Sequence, residues 1–252
     1  MTAVGLGFDV PRTAAVVRKE LADFRRSRFI VATMGIFPLI FLTVPTVTIL
    51  ARRVSATSPA LTKELGISLL YLLLIPVVIP SVTAAYAVAG EREQGTLEPV
   101  LTTPVRREEL LIGKALAIFL PAAGVAYVVF GIFLGVVRLA ASPAVASTVF
   151  AAPEVPAEAV FIPLLAAWSI WVGLALSARV GDIRAAQQLS IVSSLPPLAL
   201  AGLMSFNVIH PTFGFIALVA GGLLVIDGGA YLLVSRLFDR ERLITGVGRE
   251  GT

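Results

Sequence analysis

GEREQGTLEPVLTTP, residues 90–104, is the most polar stretch of a chain that is otherwise strongly apolar. It separates two runs that contain almost no charge. Of the 252 residues, 57% are hydrophobic and only 14% are charged. Soluble domains are about 45–50% apolar and about 25% charged. The composition therefore predicts a protein that lies in a lipid bilayer, with residues 90–104 in the water beside it.

Six segments are long and apolar enough to cross a bilayer, which takes about 20 residues in a helix. Backbone polar groups inside hydrocarbon must be bonded within the protein, so each span is predicted to be an α-helix. We predict an all-α integral membrane protein with one transmembrane domain, residues 29–236, between an N-terminal segment, 1–28, and a tail, 237–252. The spans are predicted at about 29–51, 66–90, 110–137, 160–178, 187–205 and 213–235.

The distribution of Lys and Arg predicts the topology. The N-terminal segment, the loops after the second and fourth spans and the C-terminal tail together carry 16 of these residues, and the opposite loops carry 4. Cytoplasmic loops of membrane proteins carry the excess of positive charge. We therefore expect a multi-pass protein with both termini in the cytoplasm. Its expected location is a bacterial-type inner (plasma) membrane.

The segment before the first span is predicted to form an amphipathic helix over residues 11–28. Pro11 suits a first helical turn, and the basic residues lie off the apolar stripe. Such a helix lies in the membrane interface. It is interpreted as a membrane anchor, and the alternative is a lever that also touches a cytoplasmic partner. The stripe consists of Val16, Val17, Leu21 and Phe24.

Residues 90–104 have the pattern of helix, break, short helix and break. Gly90 is expected to end the second span, since Gly favours helix C-termini, and residues 91–94 are expected to be solvated. Gly95 permits a turn, after which Thr96 can cap a short helix over 97–102. That helix would have a small apolar side, made of Leu97, Val100 and Leu101. We interpret the stretch as a docking surface; the alternative is an ordinary polar loop.

Residues 90–116, GEREQGTLEPVLTTPVRREELLIGKAL, resemble the cytoplasmic signature of the type 2 ABC exporter permeases. The matching elements are an acidic Gly-Thr stretch, a Leu-x-x-(Ser/Thr)-Pro element and a Gly-Lys pair at the third span. The matching residues are Glu91, Glu93, Gly95, Thr96, Glu98, Leu101, Thr103, Pro104, Gly113 and Lys114. The six spans and the N-terminal helix agree with the layout of that family.

The resemblance implies that residues 90–104 form a coupling helix that docks on a separate cytoplasmic ABC ATPase. It implies an assembly of two permeases, this chain with a second copy or a paralogue, and two ATPase subunits. The docking residues it implies are Glu91, Arg92, Glu93, Gly95, Thr96, Leu97, Glu98, Leu101 and Pro104.

The chain itself lacks the motifs of an enzyme. No G-x-x-x-x-G-K-[ST] phosphate loop occurs in the sequence, so ATP and Mg²⁺ are expected in the partner subunit and no cofactor in this chain. With no cysteine and a single histidine, no metal cluster is expected. His210 and Asp227 are too far apart in predicted depth for a catalytic triad. The predicted partners are the ATPase, a second permease and membrane lipid, but not nucleic acid.

Two spans carry weakly polar stripes at helical spacing, on the second span and at the start of the fifth. The resemblance places the translocation path between these spans in two subunits, which would suit an amphipathic or apolar solute such as a drug, an antibiotic or a lipid. The alternative is hydrogen bonding between helices by Ser and Thr. Pro196 and Pro197 should break or bend the fifth helix. The candidate path residues are Ser68, Tyr71, Thr83, Tyr86, Gln187, Ser190 and Ser194.

Asp227 is an acid inside the sixth span, about 13 Å along the helix from Arg236. It is either a proton or ion site or a structural acid bonded to glycine-rich neighbours, and we favour the structural role. The neighbouring glycines, which would allow close helix approach, are Gly221, Gly222, Gly228 and Gly229. An ion-coupled secondary transporter or channel that uses Asp227 is the alternative function, although such carriers usually bury more charge and show internal repeats.

Overall fold

The computed structural model describes residues 9–51, 59–93, 95, 105–180, 182–206, 208–209 and 212–237. Every regular element in these ranges is helical, as predicted. The helices are α1 (Val10–Arg26), α2 (Arg28–Ala51), α3 (Pro59–Ala85), α4 (Arg107–Ala140), α5 (Pro143–Ala151), α6 (Glu154–Arg179), α7 (Ile183–Ser193), α8 (Leu195–Ser205) and α9 (Phe213–Leu237).

Among the described residues, six helical segments are long and apolar enough to cross a membrane, which confirms the predicted fold class. They are Arg28–Leu50, Leu61–Glu93, Arg107–Ala140, Glu154–Arg179, Ile183–Ser205 and Phe213–Arg236. The second segment is longer than predicted. After α3 a π-helical segment, Tyr86–Gly90, and one further α-helical turn, Glu91–Glu93, continue the helix, so the expectation that Gly90 ends it was wrong.

The second span forms the centre of the bundle. Helix α3 packs against α2, α4, α6, α7 and α8. In the most apolar 18-residue stretch of the second span, 72% of the residues are buried. The corresponding figures are 22% in the first span and 17% in the sixth. Side chains such as Leu69 and Ile79 are wholly buried in α3, whereas Leu39 of α2 and Val225 of α9 are exposed. An apolar side chain left exposed on an outer helix is stable when lipid surrounds it.

The fifth span is broken where the two prolines predict it. Helix α7 ends at Ser193 and α8 begins at Leu195, directly before Pro196 and Pro197. A proline lacks the backbone N–H that would continue the helical ladder. The far end of α8 lies very close to α3: a Cβ atom added to Gly66 would lie 2.1 Å from the carbonyl oxygen of Ser205. The second and fifth spans are therefore packed together within one chain.

Candidate functional site

Helix α1 lies against the first turns of α4 and buries one face. Asp9 caps its start by accepting a hydrogen bond from the backbone N–H of Arg12 at 3.4 Å. The buried residues are Thr13, Val16, Glu20 and Phe24. Of the predicted apolar stripe, Val16 and Phe24 are buried, while Val17 and Leu21 are half-buried against the same cluster. The placement of α1 in a membrane interface stays a prediction.

The contact between α1 and α4 depends on Gly113. A Cβ atom at this position would lie 2.6 Å from Cγ1 of Val16 and 3.4 Å from the carbonyl oxygen of Thr13. Any larger residue would push α1 away from α4. This close approach explains why the third span carries a glycine before Lys114.

Lys114 is a buried cation with three oxygen partners. Its side chain is only 1% exposed. The Nζ atom donates hydrogen bonds to Glu20 Oε1 at 2.7 Å and to the carbonyl oxygen of Ala87 at 2.8 Å. It also forms an ion pair with Glu91 Oε2 at 2.9 Å. Lys114 of α4 is therefore joined to α1 and to the π-helical segment by hydrogen bonds, and to the turn that follows that segment by an ion pair.

Lys19 joins the same two carboxylates from the solvent side. Its Nζ atom lies 3.1 Å from Glu20 Oε1 and 2.5 Å from Glu91 Oε1, and it also pairs with Asp23 Oδ2 at 3.2 Å. Burial alone lowers the pKa of Lys19, but the carboxylates of Glu20 and Glu91 raise it by more, so the pKa lies above its ordinary value. We call Lys19, Glu20, Glu91 and Lys114 the ion cluster.

The burial of Glu91 corrects the sequence analysis. Glu91 was expected to be solvated with the residues after it. Its carboxylate instead lies in the ion cluster, and the residue is 9% exposed. The helix continues past Gly90 by one turn, and that turn directs Glu91 back towards Lys114. Glu91 is therefore bound within the chain.

The π-helical segment before Glu91 is held by one side chain of α6. Ser177 Oγ accepts hydrogen bonds from the backbone N–H groups of Val88 at 3.2 Å and Ala89 at 2.9 Å. Its hydroxyl donates to the carbonyl oxygen of Ala85 at 2.6 Å. A π-helical turn leaves backbone groups without their usual partners, and such turns are frequent at functional sites. Ser177 satisfies these groups and ties the second span to the fourth.

The residues after Glu91 are also bonded to neighbouring helices. Arg92 Nη2 donates to the carbonyl oxygen of Ala178 at 3.1 Å, and the backbone N–H of Ile183 donates to Glu93 Oε1 at 3.4 Å. Gly95 has a φ of +68°, the left-handed conformation that favours glycine, as the predicted turn requires. The other predicted docking residues, Thr96, Leu97, Glu98, Leu101 and Pro104, lie outside the described residues.

A helical bundle in which a polar stretch after the second span is anchored to an N-terminal helix agrees with the layout suggested by the sequence. A family model described as ABC-2 family transporter protein matches residues 14–221. The chain belongs to the ABC-2 transporter family. No curated protein matches the chain in sequence.

Membership of the ABC-2 transporter family assigns the general role of this chain. It is the permease subunit of an ABC transporter, a multi-pass membrane protein. ABC-2 permeases are generally non-catalytic and associate with an ABC ATPase subunit. The ion cluster is therefore a part of a transporter, at the point where the second span meets the stretch that resembles a coupling helix.

The predicted path residues of this ABC-2 permease lie mostly inside the bundle. Ser68, Thr83, Ser190 and Ser194 are buried, and Tyr71, Tyr86 and Gln187 are half-buried. Thr83 Oγ1 donates to the carbonyl oxygen of Ile79 at 2.8 Å, one turn earlier in its own helix. Ser190 and Ser194 bond one turn back in the same way, at 2.7 and 3.0 Å. The hydroxyls of Thr83, Ser190 and Ser194 are thus satisfied within the chain, whereas Ser68 Oγ and Gln187 Nε2 have no hydrogen-bond partner among the described residues. The path stays a prediction.

The two tyrosines of the predicted path make aromatic contacts with the first span. The ring centroid of Tyr71 lies 6.4 Å from that of Phe41, and the centroid of Tyr86 lies 5.6 Å from that of Phe29. Tyr71 of α3 and Tyr86 of the π-helical segment are thus both half-buried and in contact with α2. A movement of α2 would expose them.

Asp227 is buried in α9, with 5% of its surface exposed. Neither carboxylate oxygen has a hydrogen-bond partner among the described residues. A Cβ atom added to Gly221, Gly222, Gly228 or Gly229 would meet no atom within 4 Å. In the described part of the chain, the expectation that Asp227 is bonded among closely packed glycine neighbours was therefore wrong. No group of His, Cys, Asp and Glu in the described ranges could hold a metal ion.

Proposed function

We propose that this ABC-2 permease exports an amphipathic or apolar solute, such as a drug, an antibiotic or a lipid, from the cytoplasm. A separate ATPase, which binds ATP and Mg²⁺, supplies the energy. The working assembly contains two permeases, either two copies or this chain with a paralogue, and two ATPase subunits. Both termini lie in the cytoplasm, beside the inner (plasma) membrane of a bacterial-type cell.

The ion cluster is the observation that supports this mechanism best. A coupling stretch transmits force only if its base is fixed rigidly to the spans that it moves. Here the base of the stretch, Glu91, is bound by Lys114 of the third span and by Lys19 of α1. Arg92 and Glu93 bind the end of α6 and the start of α7. A push on the residues that follow would therefore reach four of the six spans and α1.

The structure also suggests which part of residues 90–104 is fixed to the bundle and which part contacts the ATPase. Because Glu91 is bound inside the chain, we assign it an anchoring role rather than a direct contact with the ATPase. We assign the contact to the part of the stretch that follows the Gly95 turn. The proposed contact residues are Thr96, Leu97, Glu98, Leu101 and Pro104.

Charge reversal at two glutamates tests this assignment. Glu98→Lys should weaken co-purification with the ATPase about tenfold, the effect of losing one charge-assisted contact, and leave thermal unfolding of the permease unchanged. Glu108→Lys is the matched control, since Glu108 is exposed in the first turn of α4 and lies outside the stretch. Equal co-purification of the two variants would refute a docking role for Glu98.

The proposed solute path runs between the second and fifth spans of two subunits. In this arrangement the half-buried Tyr71, Tyr86 and Gln187 would line the path once α2 has moved. The buried residues would stay packed within each subunit until the bundle opens; these are Ser68, Thr83, Ser190 and Ser194. The chain contains no cysteine, so introduced cysteine pairs report without background. Pairs with one cysteine at Tyr71 and the other at Gln187 should link two copies within the membrane. Links within single chains only would refute a path between subunits.

A further inference from the structure

A cavity of about 610 Å³ lies between α1, the start of α2 and the π-helical segment. Its apolar lining comes from Phe24 and Ile30, which are 7% and 3% exposed, and from half-buried Tyr86. Its charged lining includes Asp23 and Arg26, both of them exposed. Small-molecule sites have volumes of about 300–1,000 Å³. The cavity thus combines a buried apolar part with a charged opening, which is the shape of a site for an amphiphile.

The charges around this cavity are of both signs and nearly equal in number. Within the ion cluster, Glu20 and Glu91 of the lining are offset by Lys19 of the lining and by Lys114, which pairs with both acids but does not itself line the cavity. The two charges that remain are on α1, at Asp23 and Arg26. Arg26 has no ion-pair partner among the described residues, and Asp23 uses only Oδ2 in its contact with Lys19. A ligand with a net charge would leave an unbalanced charge in the cavity. A dipolar ligand with no net charge could instead pair with both Asp23 and Arg26.

The spacing of the two remaining charges suits a short dipole. Asp23 and Arg26 are three residues apart on α1 and therefore project from the same face, with about 5–6 Å between their Cβ atoms. An Arg guanidinium binds phosphate oxygens through paired N–H donors. The Asp23 carboxylate can accept hydrogen bonds from a primary ammonium. A quaternary ammonium has no N–H group and cannot donate one.

We propose that this cavity binds a phospholipid whose headgroup carries both a phosphate and a primary ammonium, as phosphatidylethanolamine does. Arg26 binds the phosphate, Asp23 accepts hydrogen bonds from the ammonium, and the glycerol and first methylene groups lie against Phe24, Ile30 and Tyr86. The lipid then fills the space between α1 and the first span. Because α1 carries half of the ion cluster, the bound lipid also holds α1 in place against the bundle.

Equilibrium binding to the purified permease in detergent, without any ATPase, tests the site. The probes are water-soluble dihexanoyl lipids with ethanolamine, choline or glycerol headgroups, and the readout is the dissociation constant. We expect the ethanolamine lipid to bind about tenfold more tightly than the other two. Asp23→Asn should lower that affinity about tenfold, towards the value for the choline lipid. Arg26→Gln should lower it about tenfold as well, and should also weaken the other two lipids, because all three carry the phosphate.

Arg25→Gln is the matched control, because Arg25 is exposed next to Arg26 but does not line the cavity. It should leave the affinity for the ethanolamine lipid unchanged. If Arg25→Gln and Arg26→Gln have the same effect, the lipid binds only to general surface charge and the proposal is wrong. Tighter binding of the glycerol lipid would mean an anion site and would also overturn it.

The test still decides if a variant is unstable or if the permease exports no solute. If Asp23→Asn lowers the thermal stability of the permease, the decision rests on Arg26→Gln and Arg26→Lys, since Lys keeps the charge but not the paired donors. The binding assay needs neither ATP nor a transported solute. If the permease binds the ethanolamine lipid selectively but exports no solute, the lipid site stands and the proposed export function fails. If it exports a solute but shows no headgroup selectivity, only the lipid site is refuted.

Discussion

Lys114→Met is the sharpest test of the ion cluster. The substitution keeps most of the side-chain volume but removes a cation that is 1% exposed and contacts three oxygens. Removing one partner of a buried ion pair costs about 3–5 kcal/mol, because the remaining charge is left uncompensated. Since Lys19 still contacts both Glu20 and Glu91, we expect a loss near the lower limit, about 3 kcal/mol.

The same reasoning predicts a partial rescue. In the triple variant Lys114→Met, Glu20→Gln and Glu91→Gln, no carboxylate remains in the ion cluster, and about 2 kcal/mol should be regained. The loss that persists comes mainly from the carbonyl oxygen of Ala87, which loses the Lys114 donor in both variants. Lys63→Met is the control: Lys63 is exposed, so its replacement should change stability by less than about 0.5 kcal/mol.

The assay is reversible unfolding in mixed micelles with increasing dodecyl sulfate, followed by the fluorescence of the two tryptophans. A loss below about 1 kcal/mol for Lys114→Met would mean that the cation is not buried among these acids. A triple variant as unstable as the single variant would mean that uncompensated charge is not the cause. Either result would refute the description of the cluster.

Four other substitutions test separate contacts by the same unfolding assay. Gly113→Ala places a methyl group 2.6 Å from an α1 side chain and should cost about 1–3 kcal/mol, whereas Gly124→Ala in the same helix meets no atom within 4 Å and should not destabilise. Ser177→Ala should cost about 2 kcal/mol. It should also speed hydrogen exchange at the amides of Val88 and Ala89, which donate hydrogen bonds to the Ser177 hydroxyl; unchanged exchange would contradict this. The stability that Lys19 contributes is fully present below its ordinary pKa of 10.5 and is lost only as pH rises through the higher folded pKa. The loss in Lys19→Met should therefore be constant from about pH 6 to about pH 9, and a loss that falls within that range would contradict the raised pKa. Asp227→Asn should not lower stability, since neither carboxylate oxygen has a hydrogen-bond partner in the described residues; a loss above about 1 kcal/mol would reveal one.

The fold class could be predicted from the sequence because a bilayer allows few alternatives. A chain segment in hydrocarbon must bond its own backbone, so an apolar run of sufficient length is a helix whatever its neighbours are. The break in the fifth span was predictable for a similar local reason, since Pro196 and Pro197 cannot continue the backbone ladder wherever they lie. The turn at Gly95 also depends only on local conformation.

The polar residues inside the spans could not be assigned in this way. A hydroxyl on a membrane helix can line a passage, bond a neighbouring helix or bond its own backbone one turn earlier, and all three give the same spacing in the sequence. Thr83 and Ser190 take the third course, whereas Ser194 takes the second and the third, since its Oγ also lies 3.2 Å from Ser169 Oγ of α6. The choice depends on which helices surround α3, and no local pattern contains that information.

By itself, the sequence determined six apolar helices, a polar stretch after the second and a resemblance to type 2 ABC permeases, because these follow from composition and local motifs. Only the tertiary structure decided that Glu91 is buried in the ion cluster and is not a solvated acid. Its partners Lys19 and Lys114 come from helices that are distant in the sequence, and Lys19 lies 72 residues from it. A charged residue after an apolar run is solvated unless another helix brings an opposite charge, and here the packing of α1 on α4 does so, because Gly113 lets the two helices approach.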